Sequence, residues 1–249
     1  MVQRSDLTPA MEDYLKAAYL QRERHGEVTV LALAQALAVA SPSVTGMIKR
    51  LAGLGLLCHE RYGEIALTPA GEAVALETVR HHRLLELYLT EALGMSWEEV
   101  HAEADRLEHH ISEALEERIA ERLGQPEHDP HGDPIPARDL TLPARHMVPL
   151  SELTPGAAAT VARIADQQPG LLHYVGTLGL VPGVPVWVVA IAPYGGVLTV
   201  AVGQAGAPTH AIGGEVAAHI LVTPLDPLPL EPPCLPLDPL AVTSLEGAT

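Results

Sequence analysis

The 249-residue sequence contains no phenylalanine, and aromatic residues make up only 3% of it. Any core must therefore be built from Leu, Ala and Val, and a hydrophobic fraction of 47% is enough for that. Only two cysteines occur, Cys58 and Cys234. That is too few for a disulfide framework and fits a reducing, cytoplasmic setting. Cys58 reads as a small packed residue. No signal-peptide core opens the sequence, and no apolar run reaches the ~18 residues a membrane span needs, so a soluble protein with no membrane partner is expected. HExxH, GxSxG and phosphate-cradling glycine loops are all missing. This argues against a hydrolase or any other enzyme with a small-molecule substrate.

Positive charge is also scarce: 15 Lys and Arg face 31 Asp and Glu, a net charge of −16, and the only lysines are Lys16 and Lys49. The average conceals a gradient. Residues 1–70 hold seven basic and seven acidic residues, 71–146 hold seven and seventeen, and 147–249 hold one and seven. A phosphate-binding surface is expected only in the first segment, and a cation site in the second.

What is present divides the chain accordingly. Thr8-Pro9 has N-cap and N1 chemistry and opens a first helix. A second runs from about Val30 to Ala38, and a third opens with Ser41 as cap and Pro42, reaching about Leu54. Short strands Leu57–Arg61 and Glu64–Thr68 flank a turn at Tyr62-Gly63. Thr68-Pro69 starts a long helix to Leu93. Ser96 and Glu99, at capping-box spacing, start another to Leu123, with a break near Ser112. Residues 125–146 are rich in Pro, His and Asp and read as a linker. Val- and Gly-rich runs over 147–223 predict a small β-barrel-like module, and 224–249, with seven prolines, predict a disordered tail.

The second and third helices have helix-turn-helix spacing, and the strand pair supplies a wing. On the third helix Val44, Met47, Ile48 and Leu51 share one face. Ser43, Thr45, Gly46, Lys49 and Arg50 share the other, where small hydroxyls can approach bases and the cations can meet phosphates. Ser41, Pro42, Ser43, Thr45, Lys49, Arg50 and Arg61 are the candidate DNA-binding residues.

In VHAEADRLEHH, His101, Asp105, Glu108 and His109 fall within about 100° of one another on a helical wheel. His82 and Glu86 stand at i, i+4 on the preceding helix. Carboxylates gathered in this way repel one another unless a cation joins them. His81 and His110 project elsewhere and read as structural or solvated, as do His128, His131 and His146.

Together these motifs (EDYLKAAY, ALAVASPSVTGMIKRLAGLGLL, HRLLE, EVHAEADRLEHH and GDPIP) resemble the diphtheria toxin repressor and manganese transport regulator family over residues 7–223. The resemblance implies a mainly α N-terminal winged helix-turn-helix (1–70) and a helical metal-binding and dimerisation domain (71–124). A small all-β SH3-like domain (147–223) is implied to follow the linker. It implies a homodimer on palindromic operator DNA, repressing metal-uptake genes. A primary metal site at Asp13, Asp105, Glu108 and His109 is implied, with an ancillary site at His82, Glu86 and His101, to which Asp166 or Gln168 would add. Roughly two ions per protomer follow. Carboxylates at positions 13 and 105, where iron-type members carry sulfur, favour Mn(II), with Fe(II) as the alternative. Lys16 stands where the manganese branch has a further acidic ligand, and pairing with Asp13 or Glu12 is expected for it. The readings from other classes are a metal buffer, a metallohydrolase and a metal-independent regulator.

Overall fold

The computed structural model describes residues 7–59, 65–144, 146–194, 196–204 and 206–225. Arg61, Cys234 and nearly all of the proline-rich tail lie outside them. Two compact units emerge: residues 1–146 with 163–176, and residues 147–162 with 177–249. Among the described residues no single helix is long and apolar enough to cross a membrane.

The first unit begins with α1 (Pro9–His25), α2 (Val30–Ala36) and α3 (Ser41–Gly53), followed by the antiparallel pair β1 (Leu57–His59) and β2 (Ile65–Leu67). The α2 and α3 axes meet at 108°, within the helix-turn-helix range. Thr29 caps α2 by accepting the Ala32 N–H. For α3 the expected cap is displaced by one residue. Ala40 holds the N-cap position in extended backbone, Ser41 is the first helical residue, and no side chain caps the end. Val44, Ile48 and Leu51 of α3 are fully buried against Leu15, Ala18 and Leu33. Each such side chain contributes about 1.5–3 kcal/mol. Cys58 is exposed, contrary to its expected packing, because it occupies the outward position between Leu57 and the His59–Ile65 pair.

The long helix α4 (Pro69–Leu93) is capped by Thr68, which accepts the Gly71 N–H, and is closed by Gly94 at φ 69°. Its first half joins the α1–α3 core through Ala75, Leu76 and Val79. Its second half joins a smaller cluster in which Leu84 and Leu85 meet Ala104, Ile119, Ala120 and Ile135. Ser96 bonds Glu99 at 2.8 Å, but the helix it was expected to open starts later, at Val100. This α5 (Val100–Leu107) ends before the expected break, and Ser112 caps α6 (Glu113–Arg122).

Within 125–146, residues 129–136 are packed rather than linker-like, whereas most described positions from 137 on are exposed. Asp129, His131, Asp133 and Ile135 are buried. Asp129 Oδ1 accepts the His131 and Asp133 N–H groups, which folds the segment into a tight loop. Arg80 and Arg83 of α4 donate to the Pro136 and Pro134 carbonyls and hold that loop down. Residues 163–176 belong to this unit as well: Arg163 pairs with Asp133 at 2.6 Å, and Ile164 N–H donates to the His131 carbonyl.

The second unit is a six-stranded sheet in the order β3 (Val148–Pro149), β8 (Ile220–Pro224), β4 (Ala158–Ile164), β5 (Pro185–Ile191), β6 (Leu198–Val202), β7 (Thr209–Ile212). Pairings β3–β8, β4–β5, β5–β6 and β6–β7 are antiparallel, with a bulge in β5 between Val188 and Ala190. Two helices accompany the strands in sequence, α7 (Pro169–Thr177), most of which clusters with the first unit, and α8 (Gly214–Ala218).

The start of α4 lies tight against the turn before β1. A Cβ on Gly71 would stand 1.9 Å from the Leu56 carbonyl oxygen, which is backbone and cannot rotate away. Gly71→Ala is therefore expected to lower stability by about 1–3 kcal/mol, read as a fall in melting temperature. An unchanged melting temperature would contradict this packing.

Candidate metal centres and DNA-reading helix

The ligand-bearing residues come from α1, α4, α5 and the two turns that follow α5 and α6. Every residue of α4 from Thr78 to Glu86 is buried, so its charged side chains must find partners inside the protein. Arg80 and His81 share Glu116, and His81 also meets the Glu108 carbonyl at 3.0 Å. Both side chains thus have protein partners, and His81 also falls in a grouping of possible ligands with Glu77 and Glu113.

Three groupings matter for metal. In the first, Asp13, Glu108 and His109 bring one ligand atom each within 4.8 Å of one another. His109 Nε2 lies 2.9 Å from Asp13 Oδ1 and 3.4 Å from Glu108 Oε1. His109 Nδ1 lies 2.6 Å from Glu12 Oε2. Glu12 is buried, and it fixes the ring so that Nε2 faces the other ligands. A carboxylate behind a ligating histidine commonly does this. The sequence reading missed that role for Glu12.

In the second, Glu86 Oε1 lies 2.9 Å from both His82 Nε2 and His101 Nδ1, which are 3.0 Å apart. About 3 Å is the edge that two ligands span when each sits about 2.1 Å from one ion.

In the third, Glu86, Asp129 and His131 converge, all three buried. Glu86 Oε2, Asp129 Oδ2 and His131 Nδ1 have no hydrogen-bond partner. His131 Nδ1 stands 3.7 Å from the first and 3.8 Å from the second. The Trp97 carbonyl lies 2.8 Å from His131 Nε2, and the indole stacks on the imidazole. With Nε2–H donating to that carbonyl, Nδ1 is left facing the two carboxylate oxygens; burial pushes the His131 pKa down, but Asp129 and Glu86 outweigh it and hold it up at about 11. Three acceptors facing one another need a cation or a proton. Asp129 and His131 were not among the expected ligands. The only available signal was the density of His and Asp in PEHDPHGDP.

Asp105, expected in the primary set, instead joins His82 and Glu108 around Lys16. Lys16 thus pairs with Asp105 and Glu108 rather than with Asp13 or Glu12, because its long stem reaches past the α1 surface to the carboxylates of α5. Asp166 and Gln168 line the same open cleft of about 680 Å³ as Asp13, His82, Glu86 and His101. Asp166 Oδ1 accepts the Gln168 N–H at 3.0 Å, and Asp166 enters no grouping of His, Cys, Asp and Glu ligands among the described residues.

Electrostatics follow this geometry. Burial and Lys16 push the His82 pKa down, but Glu86, Asp105 and Glu108 outweigh them and hold it up at about 10. Asp13 and Glu12 hold His109 up at about 9. Burial raises the Asp129 carboxyl to about 7, with Asp133 adding to it.

On α3, Ser41, Pro42, Ser43, Lys49 and Arg50 are exposed together, whereas Val44 and Ile48 face inward. Thr45 is half-buried and donates its hydroxyl to the Ser41 carbonyl at 3.1 Å.

Fold and site define a class: a helix-turn-helix protein whose reading unit is joined to a helical layer rich in hard divalent-cation ligands. Comparison with known proteins narrows it. The N-terminal DNA-binding domain of iron-dependent repressors matches residues 6–65, and their metal binding and dimerisation domain matches 68–137, well into the expected linker. The FeoA domain matches 148–224. The iron-dependent repressor IdeR of Mycobacterium tuberculosis (strain H37Rv) is 33% identical over 213 residues, 80% of this chain and 92% of that protein. The regulator MntR of Geobacillus kaustophilus is 36% identical over 114 residues, 46% of this chain and 80% of that one. A manganese-dependent transcriptional repressor in complex with manganese superposes with a TM-score of 0.79 at 38% identity, covering 86% of this chain and all of that one. The chain belongs to the iron-dependent repressor family.

The raised histidines yield a pH dependence. In metal-free protein, His82 and His109 contribute stability that is fully present below their ordinary value of 6.5 and is lost as pH rises through about 9 to 10. With chelator present, the melting temperature is expected to fall across that window, and less so in His109→Gln. Mn(II) affinity should move the opposite way and rise with pH, because each ion displaces protons. A flat melting curve in chelator would contradict the paired-imidazolium reading.

Proposed function

We propose that the protein is a divalent-metal-activated transcriptional repressor that binds palindromic operator DNA as a homodimer. The observation that carries this reading is the convergence of Asp13 from α1 with Glu108 and His109 from the end of α5. A divalent ion held there supplies the positive charge that lets the two carboxylates and the imidazole lie together. Asp13, Glu108 and His109 then clamp α1 to the helical layer, and Glu12 keeps His109 oriented. The same α1 packs through Met11, Leu15 and Ala18 into the core that holds α3. Fixing α1 therefore fixes the recognition helix. In a two-fold dimer this sets the separation of two recognition helices against successive major grooves.

A second ion belongs with Glu86, through Oε1 with His82 and His101, or through Oε2 with Asp129 and His131. All candidate ligands are oxygen or imidazole nitrogen, and Met11 is buried in the core rather than in the site. Such a set suits Mn(II) and Fe(II) and disfavours soft cations. We propose Mn(II) as the main activator, with Fe(II) as the alternative. The exposed Ser43, Lys49 and Arg50 of α3 are the proposed base and phosphate contacts, with uptake genes for the metal as the targets.

The test is fluorescence anisotropy of a labelled duplex from the gene's own or neighbouring promoter. Chelated protein is titrated first, then protein with Mn(II), anaerobic Fe(II) or Zn(II), at fixed salt. Mn(II) is expected to tighten binding between about 5- and 150-fold. Asp13→Ala, at a half-exposed position, is expected to lose most of that gain. Equal affinity with and without chelator would sink the proposal. In equilibrium dialysis, Glu86→Gln should bind about one fewer Mn(II) per protomer than wild type. An undiminished count would remove Glu86 from the metal sites.

A further inference from the structure

Lys16 follows Asp13 by one turn of α1, so both side chains leave the same face of that helix. Their destinations differ. Asp13 meets His109, whereas the Lys16 ammonium reaches inward to Glu108 Oε2 at 2.7 Å, Glu108 Oε1 at 3.0 Å, Asp105 Oδ1 at 2.9 Å and His82 Nδ1 at 3.0 Å. Those three residues bring ligand atoms within 4.8 Å of one another, a grouping able to hold a metal ion in its own right. An ammonium carries three N–H donors, and here they go to the two carboxylates of a metal-capable cluster, whose third member, His82, gives its own Nδ1 proton to Glu108 Oε2 at 2.6 Å. The Lys16 side chain is 12% exposed and that of Glu108 0%, so this is not one of the solvent-screened surface pairs that contribute little.

We propose that the Lys16 ammonium is a built-in cation, standing in the His82–Asp105–Glu108 cluster in place of a divalent ion. The inference rests on the reading of Asp13, Glu108 and His109 as a metal centre, because Glu108 belongs to both clusters. It goes further by assigning the inner cluster to the chain's own charge and leaving the outer one to respond to metal. Lys16 excludes a divalent ion from the inner cluster by both charge and volume. It also ties α1 to Asp105 and Glu108 before any metal binds. Removing the ammonium uncovers a site for a hard divalent cation such as Mn(II).

The test compares full-length wild type with Lys16→Glu, Lys16→Gln and Lys16→Arg. Mn(II) is counted by equilibrium dialysis, with free ion read by electron paramagnetic resonance, and melting is followed by circular dichroism. Lys16→Glu is expected to bind one more Mn(II) per protomer than wild type, and Lys16→Arg no more than wild type. Metal-free Lys16→Gln should melt below wild type, and Mn(II) should raise its melting temperature by more than it raises that of wild type. Should Lys16→Glu fold only on addition of Mn(II), the count is taken on the refolded protein. Should it not fold at all, Lys16→Gln carries the count, with the same added equivalent expected at weaker affinity. No added equivalent in the folded variant overturns the proposal. The wild-type arm stands apart: wild type that binds no Mn(II) sinks the repressor reading, while the difference between variant and wild type still decides the role of Lys16.

Discussion

The helical half of this protein depends on one constraint: α4 is enclosed on all sides over a stretch that carries Arg80, His81, His82, Arg83 and Glu86. An amphipathic helix can turn its charges to water. Here each charge has to be answered from another element, and leaving one unanswered costs about 3–5 kcal/mol. Arg80 and His81 require Glu116 of α6, His82 requires Glu108, and Arg83 requires Asp133 and the Pro134 carbonyl. The apolar cluster beside them is small, with Leu84, Leu85, Ala104, Ile119, Ala120 and Ile135. The positions of α5, α6 and the 127–136 loop are therefore set largely by charge satisfaction rather than by apolar packing alone.

Carboxylates serve as the joints of this network because each has two oxygens to offer. Asp133 takes Arg83 and Arg163 on Oδ1 and Gln167 on Oδ2. Glu116 divides its oxygens between Arg80 and His81. Glu86 divides its own unevenly: Oε1 meets two imidazoles, whereas Oε2 points at His131 and Asp129 without a hydrogen bond. Arg80 and Arg83 leave no buried polar atom unpaired, whereas Glu86 Oε2 and Arg163 Nε are left without a hydrogen bond. On that ground Glu86 is separable from Glu116 and Asp133, even though all three are buried.

Much of this organisation was legible in the sequence. The N1 prolines at Pro9 and Pro69, the apolar face of α3 and the glycine stop at Gly94 follow from local backbone chemistry, and the structure places them as read, with Pro42 one position further into its helix. The His82–Glu86–His101 grouping was visible because helical periodicity places ligands one turn apart. The errors have a common physical cause. Residues 125–146 look like a solvated linker because Pro, His, Asp and Gly are turn-forming and polar. Whether such a loop lies on the surface or under it depends on partners elsewhere, here Arg80, Arg83 and Arg163. Lys16 was misjudged for a similar reason. Its nearest acids in sequence are Glu12 and Asp13, but a four-carbon stem lets the ammonium choose among acids brought close only by folding. Asp105 lies 2.9 Å from that ammonium, in a grouping with His82 and Glu108.

The two faces of α1 explain why one helix can carry a metal signal. Met11, Leu15 and Ala18 lock it into the same core as Val44 and Ile48 of α3. Glu12, Asp13 and Lys16 face the ligand clusters. A change in charge on one face cannot be absorbed by local rearrangement on the other, because close-packed cores resist continuous deformation. The size of the signal then bears on the number of sites. Reversing a 1:99 equilibrium takes about 5.5 kcal/mol of differential binding, whereas a single coupling is typically about 1–3 kcal/mol. On the proposed reading, one ion at Asp13, Glu108 and His109 would fall short of a full switch. Two ions, the second shared through Glu86 with α4, would approach it, and a lysine that pre-positions α1 would reduce what they must supply.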